Sequence, residues 1–290
     1  MAIPIVYLNG AFVPQDQASV PLLDRGFMFG DGVYEVIPAY GARPFRLEQH
    51  LQRLDNSLAA IRLANPLTHD QWRRVLEVLI ARNAGDDQSI YLQVTRGPAP
   101  RNHAFPDHVQ PTVVALSTPL TPLAADILAH GVAAITSEDI RWKYCHIKAI
   151  TLLPNVLLRQ QALDAGAAEA ILVRDGLVTE GAASNVFIVA QGRLITPPTG
   201  PFLLPGITRD LIIELARGNG VPCDEADIPQ ASLRQADEIW LSSSTREILP
   251  VTRLDDRVVS DGKPGPLWRR LYDLYQAYKQ ALRQPAASQH

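Results

Sequence analysis

The stretch RWKYCHIKAITLLPNVLL, from Arg141 to Leu158, sets an ammonium group, Lys148, among Ile147, Ala149, Ile150, Leu152 and Leu153. Lysine is scarce in this chain: of 27 basic residues only four are lysines, at 143, 148, 263 and 279. Lys263 lies in the turn SDGKPG, Lys279 on a polar-faced C-terminal helix, and Lys143 between Trp142 and Tyr144. Only Lys148 has strongly apolar neighbours on both sides. Read as a strand, Arg141 to Ile150 alternates so that Trp142, Tyr144, His146, Lys148 and Ile150 share one face. A buried ammonium is costly unless paired, and burial lowers its pKa. Two readings follow: a structural lysine whose head reaches a carboxylate, or a carbonyl nucleophile that forms a Schiff base.

Around this stretch the chain alternates short strands with a few helices. IVYLNGAFVP reads as two strands about an Asn9-Gly10 hairpin turn. DRGFMFGDGVYEVIPAYGARPFR gives a loop, a strand from Val33 to Tyr40 and another turn. LEQHLQRLDNSLAAIRL carries Leu47, Leu51, Leu54 and Leu58 at helical spacing. THDQWRRVLEVLIARNAG opens on a Thr/Asp cap signal and ends in glycine, a second helix. QSIYLQVTRG and PTVVALSTP read as strands. Further on, GVAAITSED, IRWKYCHIKA, AEAILVRDG, SNVFIVAQG, RLITPP and EIWLSSST are strand candidates. NVLLRQQALDAG, TRDLIIELARGNG and PLWRRLYDLYQAYKQAL are helix candidates. The expected fold is α+β, not doubly wound: a small N-terminal α/β domain over 1–119, a connector over 120–126, and a larger barrel-like β domain with surrounding helices over 127–290. RQPAASQH reads as a disordered tail.

At 290 residues and 47% hydrophobic, the chain has material for one large or two medium cores. No apolar run approaches the ~20 residues that span a bilayer. MAIPIVYLNG has no basic n-region or cleavage-type site. A net charge of −3 without like-charge blocks argues against nucleic acid. Two cysteines, Cys145 and Cys223, make no disulfide framework, and no Cys/His cluster calls for a metal. The expectation is a soluble, reduced, cytoplasmic protein.

Several segments qualify as ligand contacts. LLPGITRDLIIEL sets Gly206, Ile207 and Thr208 before an apolar-periodic helix, either an anion cradle of free N–H groups or an ordinary Thr-capped start. SSSTRE offers Ser243, Ser244 and Thr245 after the strand EIWL, as plain turns also do. Arg53, beside the stripe of Leu51 and Leu54, either points at the same anion or is solvated. Glu180, at a Gly turn between two strands, either pairs with a protonated ring nitrogen or faces water. TRGPAPRNHAFP, a proline-bounded loop, carries Arg101 and His103, which either bind a carboxylate or face solvent. A lysine, an acid and an anion cradle together suit a cofactor with an aldehyde, a ring nitrogen and a phosphate, namely pyridoxal 5′-phosphate.

Seven landmarks stand in order: DRGFMFGDGVYEV, HLQRL, TRGPAPRNHAFP, DIRWKYCHIKA, TEGAASNVF, LPGITRD and SSSTREILPV. In them the chain resembles the fold-type IV pyridoxal-phosphate aminotransferases, from about Tyr7 to Leu282. The resemblance implies that Lys148 is the Schiff-base lysine and proton shuttle and that Glu180 partners the pyridine nitrogen. It implies phosphate contacts at Arg53, Ile207, Thr208 and Ser244, with Ser243 beside them. RNHAFP and GDGVYEV look most like the D-amino-acid enzymes, in which Tyr34, Arg101 and His103 match the trap for the substrate α-carboxylate. The implied reaction is transamination between a D-amino acid, such as D-alanine or D-glutamate, and a 2-oxo acid, in a homodimer to which RNHAFP contributes across the interface. Pro38 departs from the lysine of the best-known D-enzyme pattern and leaves substrate preference open. The rivals with the same cofactor are L-branched-chain transamination, (R)-amine transamination and aminodeoxychorismate lyase action. A cofactor-free Schiff-base lyase and a non-catalytic binder are the rivals of other classes.

Overall fold

The structure, a computed structural model, describes residues 3–108 and 110–283. The chain forms two compact units. Of the described residues, the first comprises those from 3 to 121 together with 147–151 and 279–283; the second comprises 122–146 and 152–278. The stretch carrying Lys148 thus packs with the first unit although it lies well beyond that unit's main span.

The first unit is a six-stranded antiparallel sheet with helices on one face. Its elements are β1 (Ile5–Leu8), β2 (Ala11–Pro14), α1 (Arg25–Phe29), β3 (Gly32–Tyr40), β4 (Arg43–Pro44), α2 (Leu47–Ala60), α3 (His69–Arg82), β5 (Gln88–Thr95) and β6 (Thr112–Pro119). The strand order is β2-β1-β6-β5-β3-β4. The Asn9-Gly10 turn forms as expected, with both residues at positive φ, 48° and 98°, as a type I′ hairpin requires. β3 pairs β5 from Gly32↔Thr95 to Ala39↔Gln88. Alternation on these strands sends Val33, Ile37, Ala39, Ile90, Leu92 and Val94 into the core. There they meet Leu51, Leu54 and Leu58 of α2, and Trp72, Leu76 and Leu79 of α3. Thr68 and Gln71 close a capping box at the start of α3, and Trp72 donates its Nε1–H to Asn65 Oδ1 at 2.9 Å.

The second unit holds α4 (Ala125–His130), β7 (Val132–Glu138), α5 (Leu153–Asp164), β8 (Glu169–Arg174), β9 (Leu177–Gly181), β10 (Asn185–Ala190), β11 (Arg193–Thr196), α6 (Ile207–Gly218), β12 (Cys223–Glu225), β13 (Ile228–Pro229), α7 (Gln230–Arg234), β14 (Glu238–Ser243), β15 (Glu247–Leu254), β16 (Arg257–Val258) and most of α8 (Pro266–Arg283). The sheet runs β12-β11-β10-β14-β15-β7-β8-β9-β13, with β16 on β15. β9 and β10 stand far apart in that order, yet Gly181 N–H donates to the Ser184 carbonyl at 2.6 Å across the turn between them. The sheet therefore curls, as the barrel-like expectation requires. It is mixed: β7 lies parallel to both β8 and β15 and β11 to β12, with α5 supplying the crossover from β7 to β8 that a parallel pair needs. Trp240 and Trp268 are fully buried here.

One expected strand is absent. From Arg141 to His146 the chain makes bends and turns, and only Ala149 forms an isolated bridge, to Val33. Alternation needs a ladder. Tyr34 N–H donates to the Lys148 carbonyl at 2.9 Å and Ile150 N–H to that of Gly32 at 3.1 Å, whereas Cys145 N–H goes to Pro201 at 2.8 Å. Trp142, Tyr144 and His146 thus share no strand face with Lys148. The reading of 283–290 as a tail falls almost wholly on residues 284–290, outside the described ones; Arg283 itself ends α8.

Candidate active site

Lys148 is half-buried. Its ammonium sits over the Tyr34 ring, 4.3 Å from the centroid. Tyr34 in turn stacks on Tyr91, with centroids 5.6 Å apart, and the Tyr91 hydroxyl donates to Gln93 Oε1 at 2.6 Å. Burial, with Tyr34 beside it, pushes the Tyr91 phenol up to about 12, so it stays protonated. The Lys148 backbone is held too: its N–H donates to Ser57 Oγ at 3.2 Å. Among the described residues no carboxylate lies within ion-pair distance of this ammonium, so the snorkelling alternative finds no partner. A cation over an aromatic face, with its backbone pinned on both sides, is a positioned amine.

Behind Tyr34 on the same strand, Glu35 points into the core and is fully buried. Arg53 grips it bidentately, Nε to Oε1 and Nη2 to Oε2, both at 2.7 Å. His50 Nδ1 lies 2.7 Å from Oε2. Burial alone would raise the Glu35 pKa; Arg53, by charge and hydrogen bond, and then His50 more than offset it and hold it at about 2. Burial in turn pushes His50 below its ordinary value. Arg53 is therefore no solvated helix arginine: it is buried, and its Nε and Nη2 are committed to Glu35.

Arg101 and His103 lie exposed on the loop between β5 and β6. Both approach Phe29: the Arg101 guanidinium is 5.6 Å from the ring centroid, and the His103 ring 5.4 Å.

In the second unit Glu180 ends β9 and is buried, not solvated. Its Oε1 accepts from Arg141 Nη1. Its Oε2 accepts from the Leu204 N–H at 3.0 Å and from Asn185 Nδ2 at 3.2 Å. Asp139 takes Arg141 from the other side, with Nε to Oδ1 at 2.9 Å and Nη2 to Oδ2 at 3.0 Å. One guanidinium thus serves two carboxylates. Burial raises Glu180 and Arg141 offsets only part of it, so the carboxyl is pushed up to about 7. Asp139, for which the Arg141 contacts outweigh burial, is lowered. Arg141 itself is held charged by the pair. The asymmetry follows the geometry: Asp139 holds two of the guanidinium's nitrogens and Glu180 one.

Gly206 caps α6 in extended conformation, with no side-chain cap. A Cβ there would lie 1.9 Å from Asn185 Oδ1, so only glycine lets the helix start reach the Glu180 cluster. Ile207 and Thr208 are the first two helical residues, both buried, and the first intrahelical bond is Asp210 N–H to Gly206 O at 2.9 Å. Their N–H groups precede that ladder and can receive an anion. Thr208 is thus not the cap of the ordinary-start alternative. Ser243 and Ser244 are half-buried at the end of β14; Ser243 Oγ accepts the Arg246 N–H at 3.3 Å, and the neighbouring Ser242 Oγ is buried without a partner. A buried carboxyl that shares its one arginine with Asp139, an uncapped helix start kept open by glycine and an orphaned hydroxyl fit a phosphorylated pyridine ring.

The first unit thus brings Lys148 and Tyr34 together and sets Arg101 and His103 around Phe29. The second ties Glu180 through Asn185 to the start of α6. Sequence reading missed Glu35, His50, Asp139, Arg141 and Asn185. The signal for Glu35 was available: it takes a core position of an alternating strand, where an acid demands a buried cation. Asp139 and Arg141 gave none, since they sit in irregular chain.

The model of class IV aminotransferases matches residues 32–254. The chain is 42% identical over 277 residues to the D-alanine aminotransferase of Listeria monocytogenes, covering 93% of this chain and 94% of that one. It is 40% identical over 266 residues to the D-alanine aminotransferase of Bacillus licheniformis, at 92% and 94% coverage. Among solved structures, the branched-chain amino acid aminotransferase of Escherichia coli superposes with a TM-score of 0.91 at 27% identity, over 99% of this chain and 98% of that one. The branched-chain enzyme of Thermobaculum terrenum, solved in its PLP-bound holo form, gives 0.85 at 28%, over 97% and 95%.

Proposed function

This chain belongs to the class IV aminotransferases, and from that premise we propose that it transfers an amino group between a D-amino acid and a 2-oxo acid. The pair we infer is D-alanine with 2-oxoglutarate, giving pyruvate and D-glutamate. The observation that carries the reading is the Lys148 amine, pinned over Tyr34 with no carboxylate partner among the described residues. The D-alanine aminotransferases at 40–42% identity and the Arg101-x-His103 loop support the D-amino-acid side. The resemblance to branched-chain enzymes is strong in fold but only 27–28% in sequence.

Pyridoxal phosphate supplies, when bound, an aldehyde and a protonated ring that draws electrons from the substrate Cα. Lys148 Nζ would hold the aldehyde and, when free, would take the Cα proton and return it. Glu180, in its ionised form, would hold the proton on the ring nitrogen. The N–H groups of Ile207 and Thr208 and the hydroxyls of Ser243 and Ser244 would hold the phosphate, and the family pattern gives Arg53 the same role. Glu35 keeps Arg53 in one rotamer. Tyr34, Arg101 and His103 hold the α-carboxylate, and with the base fixed, carboxylate placement decides which enantiomer presents its Cα hydrogen. The acting form is a cytoplasmic homodimer. The exposed apolar residues Leu153, Val156 and Leu157, at i, i+3 and i+4 of α5, support an interface on that helix.

The test is a panel of half-reactions with single D- and L-amino acids, followed by cofactor absorbance. D-alanine and D-glutamate should convert the cofactor and their L-forms should not; conversion by L-leucine and L-valine instead would establish the branched-chain reading. Lys148→Ala should bind cofactor and lose turnover by several orders of magnitude.

A further inference from the structure

The loop bearing Arg101 and His103 has little to hold it. Residues 101 to 105 are all exposed and form no regular structure, and among the described residues the bond they make within themselves is turn-like, Ala104 N–H to Asn102 Oδ1 at 3.1 Å. What grips the loop is a guanidinium from beneath. Arg25, on α1, is 4% exposed. Its Nη1 donates to the carbonyls of Asn102 at 2.5 Å and Ala104 at 3.3 Å, and its Nη2 reaches that of His103 at 3.5 Å. Three successive carbonyls of the loop thus converge on one side chain.

Arg25 is itself fixed from several sides. Its Nε donates to Asp31 at 2.7 Å, and its backbone N–H to Gly97 O at 3.0 Å. Asp24 caps α1 by accepting the Gly26 N–H at 2.8 Å and the Thr112 hydroxyl at 2.6 Å. Asp31 also takes Arg96 Nε at 2.8 Å, and the Arg96 guanidinium lies 3.8 Å from the centre of the Phe105 ring. One carboxylate shared by two arginines leaves an excess positive charge and spare N–H groups, which carbonyl oxygens satisfy. The Phe29 ring completes the arrangement, with Arg25 4.9 Å and Arg101 5.6 Å from its centroid.

We propose that Arg25 is a positioning residue: by clamping the carbonyls of Asn102, His103 and Ala104 it holds Arg101 and His103 where they meet the substrate carboxylate. This rests on the reading that the loop binds that carboxylate. Arg25 touches no substrate; it keeps the loop from having to order itself at each binding event. Its loss acts on substrate affinity and leaves the Lys148 chemistry in place.

The test compares Arg25→Lys, Arg25→Met, Phe29→Leu and Arg101→Leu with the parent, all as holoenzymes. Lysine keeps the charge beside Asp31 but has no fork, and in the methionine variant Asp31 retains Arg96, so neither strands a buried carboxylate. Both Arg25 variants should speed amide hydrogen exchange across 101–105 and raise KM for D-alanine about 10- to 100-fold, with kcat changed less than about threefold and pyridoxal phosphate affinity unchanged. Phe29→Leu, which leaves the clamp but removes the shared ring, should raise KM in the same direction. Parental exchange at 101–105 in both Arg25 variants overturns the proposal, as does faster exchange with parental KM. Arg101→Leu separates the two readings: if its KM is parental, the carboxylate role of the loop fails; if its KM rises while the Arg25 variants stay parental, only the clamp fails.

Discussion

Two buried carboxylates show how position sets the behaviour of one side chain. Glu35 and Glu180 are both shut away from water. The first has Arg53 to itself and is held at about 2; the second shares Arg141 with Asp139 and rises to about 7. Their effects on stability have opposite sign. A lowered folded pKa means that Glu35 stabilises the protein fully above its ordinary value, and that this is lost as pH falls toward about 2. His50, lowered by burial, adds to the acid sensitivity from its ordinary value downward. Glu35→Gln removes the buried carboxylate that Arg53 and His50 both hold and should cost roughly 3–5 kcal/mol at neutral pH by denaturant titration, with a flatter dependence on pH below 4–5. Glu180 behaves inversely: without cofactor its stabilisation is complete below about 4.5 and fades as pH rises through 7. Thermal melts of the cofactor-free protein from pH 5 to 8 should therefore show the parent losing ground to Glu180→Gln. Parallel curves would contradict the raised value, and with cofactor bound the ranking should reverse.

At the level of elements, local signals told true wherever they carried a mechanism. The Asn9-Gly10 hairpin, the Thr68 capping box and the leucine stripe of α2 all formed where the residues demanded. Two elements did not follow local pattern. Arg141 to His146 alternates like a strand yet finds no ladder, because Arg141 is committed to Asp139 and Glu180. β15 carries Pro250, which argues against a central strand; it is tolerated because pairing with β7 starts only at Val251, so no bond on that side is lost. Glycine at two helix starts makes room for a buried polar side chain. Gly206→Ala would drive a Cβ into Asn185, the residue that holds Glu180, and should cost about 1–3 kcal/mol of stability with weakened cofactor binding by fluorescence titration. At α8, Glu238 accepts the N–H groups of Leu267 at 2.9 Å and Trp268 at 2.8 Å, and Gly265 leaves no room for a Cβ beside it. Glu238→Ala should destabilise by about 1–3 kcal/mol, read as a lowered denaturant midpoint.

For the whole molecule, the sequence conveyed a mixed α and β fold with a barrel-like sheet but not how the chain is shared out. The five residues around Lys148 join the first unit through backbone bonds to Gly32 and Tyr34, a pairing that no spacing or composition announces. Long-range partners of this kind stay hidden because each end looks like ordinary loop. Assembly is the matching prediction at this scale. Light scattering should give a particle of about twice 31.8 kDa, and Val156→Lys with Leu157→Glu on α5 should reduce it to the single-chain mass; a parent that is already monomeric at micromolar concentration would remove the basis for that interface.

The distribution of indole rings gives the molecule a built-in pair of lamps. Trp72 alone lights the first unit, shut in its core beside Asn65, whereas the buried Trp240 and Trp268 and the exposed Trp142 burn in the second. A chain keeping only Trp72, set against one lacking only Trp72, would let the emission colour of each half be followed separately during denaturation. It would then be visible whether the half that carries Lys148 lets go before the half that carries Glu180.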